Sequence, residues 1–175
     1  MGVTKSGWLT SRRLRPDVLG ALADRVAGVK GENMVETHIR WMIRRDMEQV
    51  LAIEREAFAS PWTLQDFFHQ FKHRDAVGMV ASDSPRAPGK VYGFMIYRPL
   101  KTRLRIVNFA VAKQHRRRGV GRAMAELLAS KLDQEHRTQI LLDEREASHE
   151  SHLFWRSVGF KTIAARRYGK GVVTN

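Results

Sequence analysis

The chain contains no cysteine, which excludes disulfides, thiolate metal sites and cysteine nucleophiles. It has no apolar run of the roughly 18 residues that a membrane helix needs, and no apolar core of the secretory type near its start. The expectation is a soluble protein of the cytoplasm without membrane contact. No internal repeat is present, and 43% apolar residues exclude both a disordered and a fibrous chain. Acidic residues are scarce: 18 Asp and Glu stand against 31 Lys and Arg, for a net charge of +13.

That excess points to polyanionic partners, whether nucleotide cofactors, nucleic acid or acidic surfaces. It is also local. From Arg98 to Arg122 the chain carries basic residues at 98, 101, 103, 105, 113, 116, 117, 118 and 122 and no acidic one.

A length of 175 residues suits one domain. Residues 1–35 carry glycines at 2, 7, 20, 28 and 31 around a short helical candidate, Pro16 to Val29, and are expected to be an N-terminal extension, with Met34 as an alternative start. The domain proper is expected over 36–175. There, VETHIRWM reads as a strand, Arg45 to Ala57 as a helix, and SPWTLQDFFHQF as a second helix with Ser60 as its cap. AVGMVAS, KVYGFMIYR and LRIVNFAV read as strands, the first two joined by the turn-rich DSPRAPG. Gly119 to Leu132 is a helix by the spacing of Val120, Met124, Leu127 and Leu128. TQILLDE is a buried strand, SHESHLFWRSV a helix closed by Gly159, and FKTIAARRY a last extended piece. This order defines an α/β protein with a mixed sheet covered by helices.

Between the third of those strands and the helix after it lies HRRRGVGRAM, residues 115–124. A helix start has backbone N–H groups without intrahelical acceptors and a positive dipole end, so it attracts phosphate. Gly119 and Gly121 remove side chains that would hold a phosphate off those amides, and Arg116, Arg117, Arg118 and Arg122 add charge. The stretch lacks the Gly-Lys-Ser/Thr ending of nucleotide-hydrolysing loops and the three-glycine dinucleotide fingerprint.

Arg-x-x-Gly-x-Gly after a strand ending in Ala-Val resembles the GNAT superfamily of acetyl-CoA-dependent N-acetyltransferases. The likeness is carried by NFAV at 108–111, RRRGVG at 116–121 and FWRSVGF at 154–160, and spans roughly residues 36–168. The opening IRWMIRRDMEQVLAIEREAF with SPW at 60–62 is similar to the bacterial ribosomal-protein-alanine branch of that superfamily. The resemblance implies a mostly antiparallel twisted sheet flanked by helices. It also implies acetyl-CoA as co-substrate, its pyrophosphate on the amides of Arg116, Arg117, Arg118, Gly119, Val120 and Gly121 beside Arg122. Its pantetheine arm would lie along Phe109, Ala110 and Val111, where a backbone N–H would polarise the thioester carbonyl. The implied acceptor is a protein or peptide N-terminus, a ribosomal protein among the candidates.

The branch's general base is a glutamate after the cofactor helix. The matching position here is Asp143, with Glu144 beside it, and strand alternation sends the two to opposite faces. The branch's thiolate-protonating tyrosine is matched by Trp155, whose indole N–H cannot supply a proton, so water or another residue serves, with Tyr168 the candidate by family analogy, or the thiolate leaves unprotonated, or activity is low. Ser148 stands where the branch has a cofactor-touching asparagine, and either hydrogen-bonds the cofactor or caps the helix that follows. The ending YGKGVVTN is shorter than the branch's, which implies a differently built peptide wall. His149 and His152, three apart, do not have the spacing of a zinc-protease pair, and no metal is expected. Two other readings stand beside the first: the same chemistry on a small-molecule amine, and a weakly active CoA-binding module that docks on RNA or the ribosome.

Overall fold

The computed structural model describes residues 8–13, 34–134, 137–144 and 149–164. Among the described residues seven strands form one sheet: β1 Trp8–Arg13, β2 His38–Trp41, β3 Val77–Ser82, β4 Val91–Pro99, β5 Arg103–Val111, β6 Gln139–Glu144 and β7 Lys161–Ala164. Helices α1 Met47–Ala57 and α2 Leu64–Phe71 follow β2, α3 Val120–Gln134 follows β5, and α4 His149–Ser157 follows β6. The spatial order is β2-β3-β4-β5-β6-β1-β7. All pairings are antiparallel except β5 with β6, which the crossover through α3 makes parallel.

β4 shows why the sheet is central. Its run Val-Tyr-Gly-Phe-Met-Ile-Tyr is buried on both faces, as expected of a strand sandwiched between helices. On one face Tyr92, Met95 and Tyr97 pack with Val120, Met124 and Leu128 of α3 and Trp155 of α4. On the other, Val91, Phe94 and Ile96 pack with Val50 and Ile53 of α1 and Phe67 of α2.

α1 is approached through a short 3-10 turn, Arg44–Asp46. Asp46, 1% exposed, accepts two guanidinium bonds from Arg40 of β2, at 2.7 and 2.8 Å, and one from the Ile43 N–H at 2.8 Å. Burial alone would push its carboxyl up, but these bonds outweigh burial and hold it below the ordinary carboxylate range.

α2 is capped by Thr63 rather than by Ser60. Thr63 Oγ1 accepts from the Asp66 N–H at 3.2 Å, and Asp66 accepts from the Thr63 N–H at 2.8 Å. The reciprocal pair three residues apart in Thr-Leu-Gln-Asp outcompetes a lone serine followed by proline.

Residues 8–13, within the segment set apart from the domain on sequence, form β1 in the sheet. β1 pairs β6 from Trp8–Glu144 to Arg13–Gln139 and pairs β7 on its other side. Without it β6 would present an open edge, which sheets rarely leave exposed. The helical candidate Pro16 to Val29 lies outside the described residues.

Candidate functional site

The site starts from a parting in the sheet. β5 and β6 pair only from Arg103–Gln139 to Ile106–Leu142, whereas β5 keeps β4 as its partner as far as Val111. The register on β4 skips from Tyr97–Ile106 to Ile96–Asn108, leaving Val107 as an extra residue. Such a bulge bends and twists its strand. Beyond it, residues 107–111 have no strand partner on the β6 side among the described residues, while β6 continues against β1. Backbone donors and acceptors therefore line an opening between two parallel strands.

At the end of β5 the chain makes a 3-10 turn, Lys113–His115, and enters the arginine loop. The loop's handedness alternates: Arg117 has φ 60° and Gly119 φ 85°, with the residues between and before them on the negative side. Alternation of this kind turns successive N–H groups to one side and forms an anion-binding nest, here continuous with the N-terminus of α3. A Cβ at Gly121 would meet the Phe154 ring at 3.1 Å, so any larger residue there requires the ring to give way by a few tenths of an ångström. Arg116 is tied back, its Nε donating to the Val111 carbonyl at 3.2 Å and its Nη1 lying 3.7 Å from Glu150 Oε2. Arg117 and Arg118 are exposed and have no carboxylate partner among the described residues. This backbone and charge suit a phosphate or pyrophosphate.

Aromatic rings support the loop. Phe109 of β5 stacks on Phe154 of α4, with centroids 5.6 Å apart and planes 10° apart, and Trp155 contacts both. Trp155 is 4% exposed and also packs on Phe160. The residue that matches the branch's tyrosine is therefore part of the core.

On the opposite face one carboxylate fastens α1 to β5 and a second fastens it to the 3-10 turn that follows β5. Glu54, fully buried, accepts from Asn108 Nδ2 at 3.0 Å and from the Trp62 N–H at 2.8 Å. Glu56 accepts from the Lys113 N–H at 2.9 Å. Sequence alone marks neither as a site residue. The available signal is that Glu54 sits one turn after Val50 and beside Ile53, on the apolar stripe of α1.

Met34 lies over the loop. A Cβ on Gly119 would collide with its thioether, and the Val35 N–H donates to the Arg118 carbonyl at 3.3 Å. Inside the turn before the loop, His115 is buried against the Tyr92 ring, and neither ring nitrogen has a hydrogen-bond partner among the described residues. Burial pushes its pKa below the ordinary imidazole value, and Lys90 and Arg118 push the same way.

Of the residues singled out on sequence, Phe109, Ala110, Val111 and 116–122 come together along the parting and the helix start. The backbones of Asp143 and Glu144 lie at the end of β6, past its last pair with β5. Ser148 and Tyr168 lie outside the described residues. His149 and His152 are exposed at the start and on the next turn of α4.

A parted parallel pair beside a nested helix start is an arrangement that suits a phosphate-bearing ligand. The acetyltransferase (GNAT) family model matches residues 47–160, and the chain belongs to that family. It is 25% identical over 122 residues, 70% of its length and 79% of the relative's, to the [ribosomal protein bS18]-alanine N-acetyltransferase of Escherichia coli K12. The crystal structure of the Escherichia coli ribosomal-protein-S18-alanine N-acetyltransferase superposes with a TM-score of 0.61 at 23% identity, over 72% of this chain and 78% of that one. An aminoglycoside 6'-N-acetyltransferase from Acinetobacter baumannii also gives 0.61, at 13% identity, over 79% of this chain and all of that one. Both structures share the fold. The chain is an acetyltransferase, and no helix among its described residues is long and apolar enough to cross a membrane.

Proposed function

We propose that this acetyltransferase acts in the cytoplasm on a protein N-terminal α-amine, of the ribosomal-protein-alanine type. The observation that carries the reading is the parting of β5 from β6 directly before the nested arginine loop. In this reading the amides of 116–121 hold the pyrophosphate of acetyl-CoA, with Arg117, Arg118 and Arg122 around it, and the free edge of Phe109, Ala110 and Val111 holds the pantetheine arm. A backbone N–H of that edge polarises the carbonyl. Ser148 belongs to the same set as a second contact.

An α-amine with a pKa of about 8 needs only modest help to be neutral near pH 7. Asp143 takes its proton, directly or through water, with Glu144 as the second candidate. The amine nitrogen then forms the amide bond as the carbon–sulfur bond breaks. Trp155 cannot protonate the departing thiolate, so Tyr168 or water does. The acceptor class rests on the 25% identity to the alanine N-acetyltransferase, an enzyme of that chemistry.

The docking alternative has one observation in its favour, the two exposed arginines 117 and 118, which have no carboxylate partner among the described residues. RNA binding that depends on salt and survives saturating CoA would support it; the first reading predicts that CoA displaces such binding. A panel of N-terminal peptides and small amines, assayed for thiol release from acetyl-CoA, tests the acceptor class.

A further inference from the structure

Glu54 joins three elements that acyl transfer must keep in register. It belongs to α1; its Oε1 holds the Trp62 N–H in the turn between α1 and α2, and its Oε2 holds Asn108 on β5. Asn108 directly precedes the 109–111 edge. The turn itself is open: Ala59, Ser60 and Pro61 are exposed, while Trp62 is anchored beneath them against Phe67 with ring centroids 5.3 Å apart. One carboxylate therefore bonds both the exposed turn and the residue of β5 that precedes the edge.

We propose that Glu54 is a positioning residue for the acceptor: it latches the 58–63 turn to the acetyl-carrying strand, and the latch sets how tightly the incoming amine is held. The inference rests on the acetyltransferase reading of the parted strands and goes beyond it in naming the residue that holds the turn to β5. What the latch needs is two acceptor or donor atoms in the right places, not a negative charge. Glu54→Gln keeps both links once the Asn108 amide turns over, because the glutamine oxygen accepts from Trp62 and its nitrogen donates to Asn108 Oδ1. That oxygen is buried and has no partner among the described residues, so it is available. Asn108→Asp alone sets two carboxylates against each other, and the double variant Glu54→Gln/Asn108→Asp restores complementary polarity with one buried charge, as in the wild type.

The test compares Glu54→Ala, Glu54→Gln, Asn108→Asp and the Gln/Asp double variant in three readouts: acetyl-CoA binding by calorimetry, steady-state kinetics on an Ala-starting peptide, and amide exchange at Trp62. Glu54→Ala and Asn108→Asp should raise the peptide KM by about tenfold or more, as expected when an ordered buried contact is lost, and speed Trp62 exchange, with acetyl-CoA affinity within about twofold of wild type. Glu54→Gln and the double variant should stay near wild type in all three. A purely structural role predicts instead a lowered melting temperature in Glu54→Ala with an unchanged peptide KM, and that result overturns the proposal. If the wild type turns over no peptide, the acceptor reading fails separately; the latch is then judged by Trp62 exchange, where equal protection in Glu54→Ala and wild type overturns it.

Discussion

Trp155 and Phe109 meet with ring centroids 5.0 Å apart and planes inclined at 58°, one from α4 and the other from the strand edge beside the parting. The position at which related enzymes are expected to carry a tyrosine thus carries a core residue in direct contact with β5. Trp155→Ala should cost about 3–5 kcal/mol, the usual range for emptying a buried aromatic site, read by chemical denaturation. Trp155→Tyr should keep the fold and raise turnover toward the ~10²-fold that a positioned general acid supplies. Unchanged turnover in a folded Trp155→Tyr variant means that the proton for the thiolate comes from elsewhere.

Gly119 is the second point of leverage. At φ 85° any other residue is strained, by about 1–3 kcal/mol, and its Cβ would displace Met34. Gly119→Ala should lower thermal stability and weaken acetyl-CoA binding at least tenfold, measured by calorimetry at fixed salt. Met34→Ala removes only the side-chain obstruction and should leave the φ penalty in place, so the double variant separates the two contributions.

Two titratable groups, His115 and Asp46, act in succession on the acid side of the pH profile. His115 is neutral in the fold, with its pKa lowered by burial and by Lys90 and Arg118. The unfolded chain therefore takes up the proton first, and stability falls as pH drops below about 6.5 until the folded imidazole is also protonated. Melting temperature measured between pH 7.5 and 5.5 should fall, and His115→Phe should flatten that segment.

Asp46 acts lower down. Its carboxyl is held below the ordinary range by Arg40 and the Ile43 N–H against the opposing effect of burial. Its contribution is complete above the unfolded value near 4 and is lost as pH falls through the folded one. Asp46→Asn leaves the Arg40 guanidinium without its charge partner and should cost about 3–5 kcal/mol at neutral pH, measured by urea unfolding.

Much of this was legible in the residues. α3 announces itself by the 3.6-residue spacing of Val120, Met124 and Leu128, and β4 by an unbroken apolar run, because burial on one face or on two writes itself directly into the pattern. The nested loop was legible as Gly-x-Gly after a strand. β1 was not: Trp-Leu-Thr-Ser-Arg-Arg is short and half polar, and its place depends on a pairing with β6 some 130 positions away, which no local pattern records. Glu54 is hidden in the sequence for the opposite reason. A charged residue on a helix is ordinarily solvated, and only the arrival of Asn108 and Trp62 from other elements makes it internal.

The most direct test of the central claim is thiol release from acetyl-CoA on an Ala-starting peptide by the wild type, Asp143→Ala and Glu144→Ala, across pH 6 to 9. The account predicts turnover by the wild type, a loss of about 10²-fold or more in Asp143→Ala, and a partial recovery in that variant as rising pH deprotonates the amine without help. Tight acetyl-CoA binding with no turnover on any N-terminal peptide, and no difference among the three proteins, would contradict it.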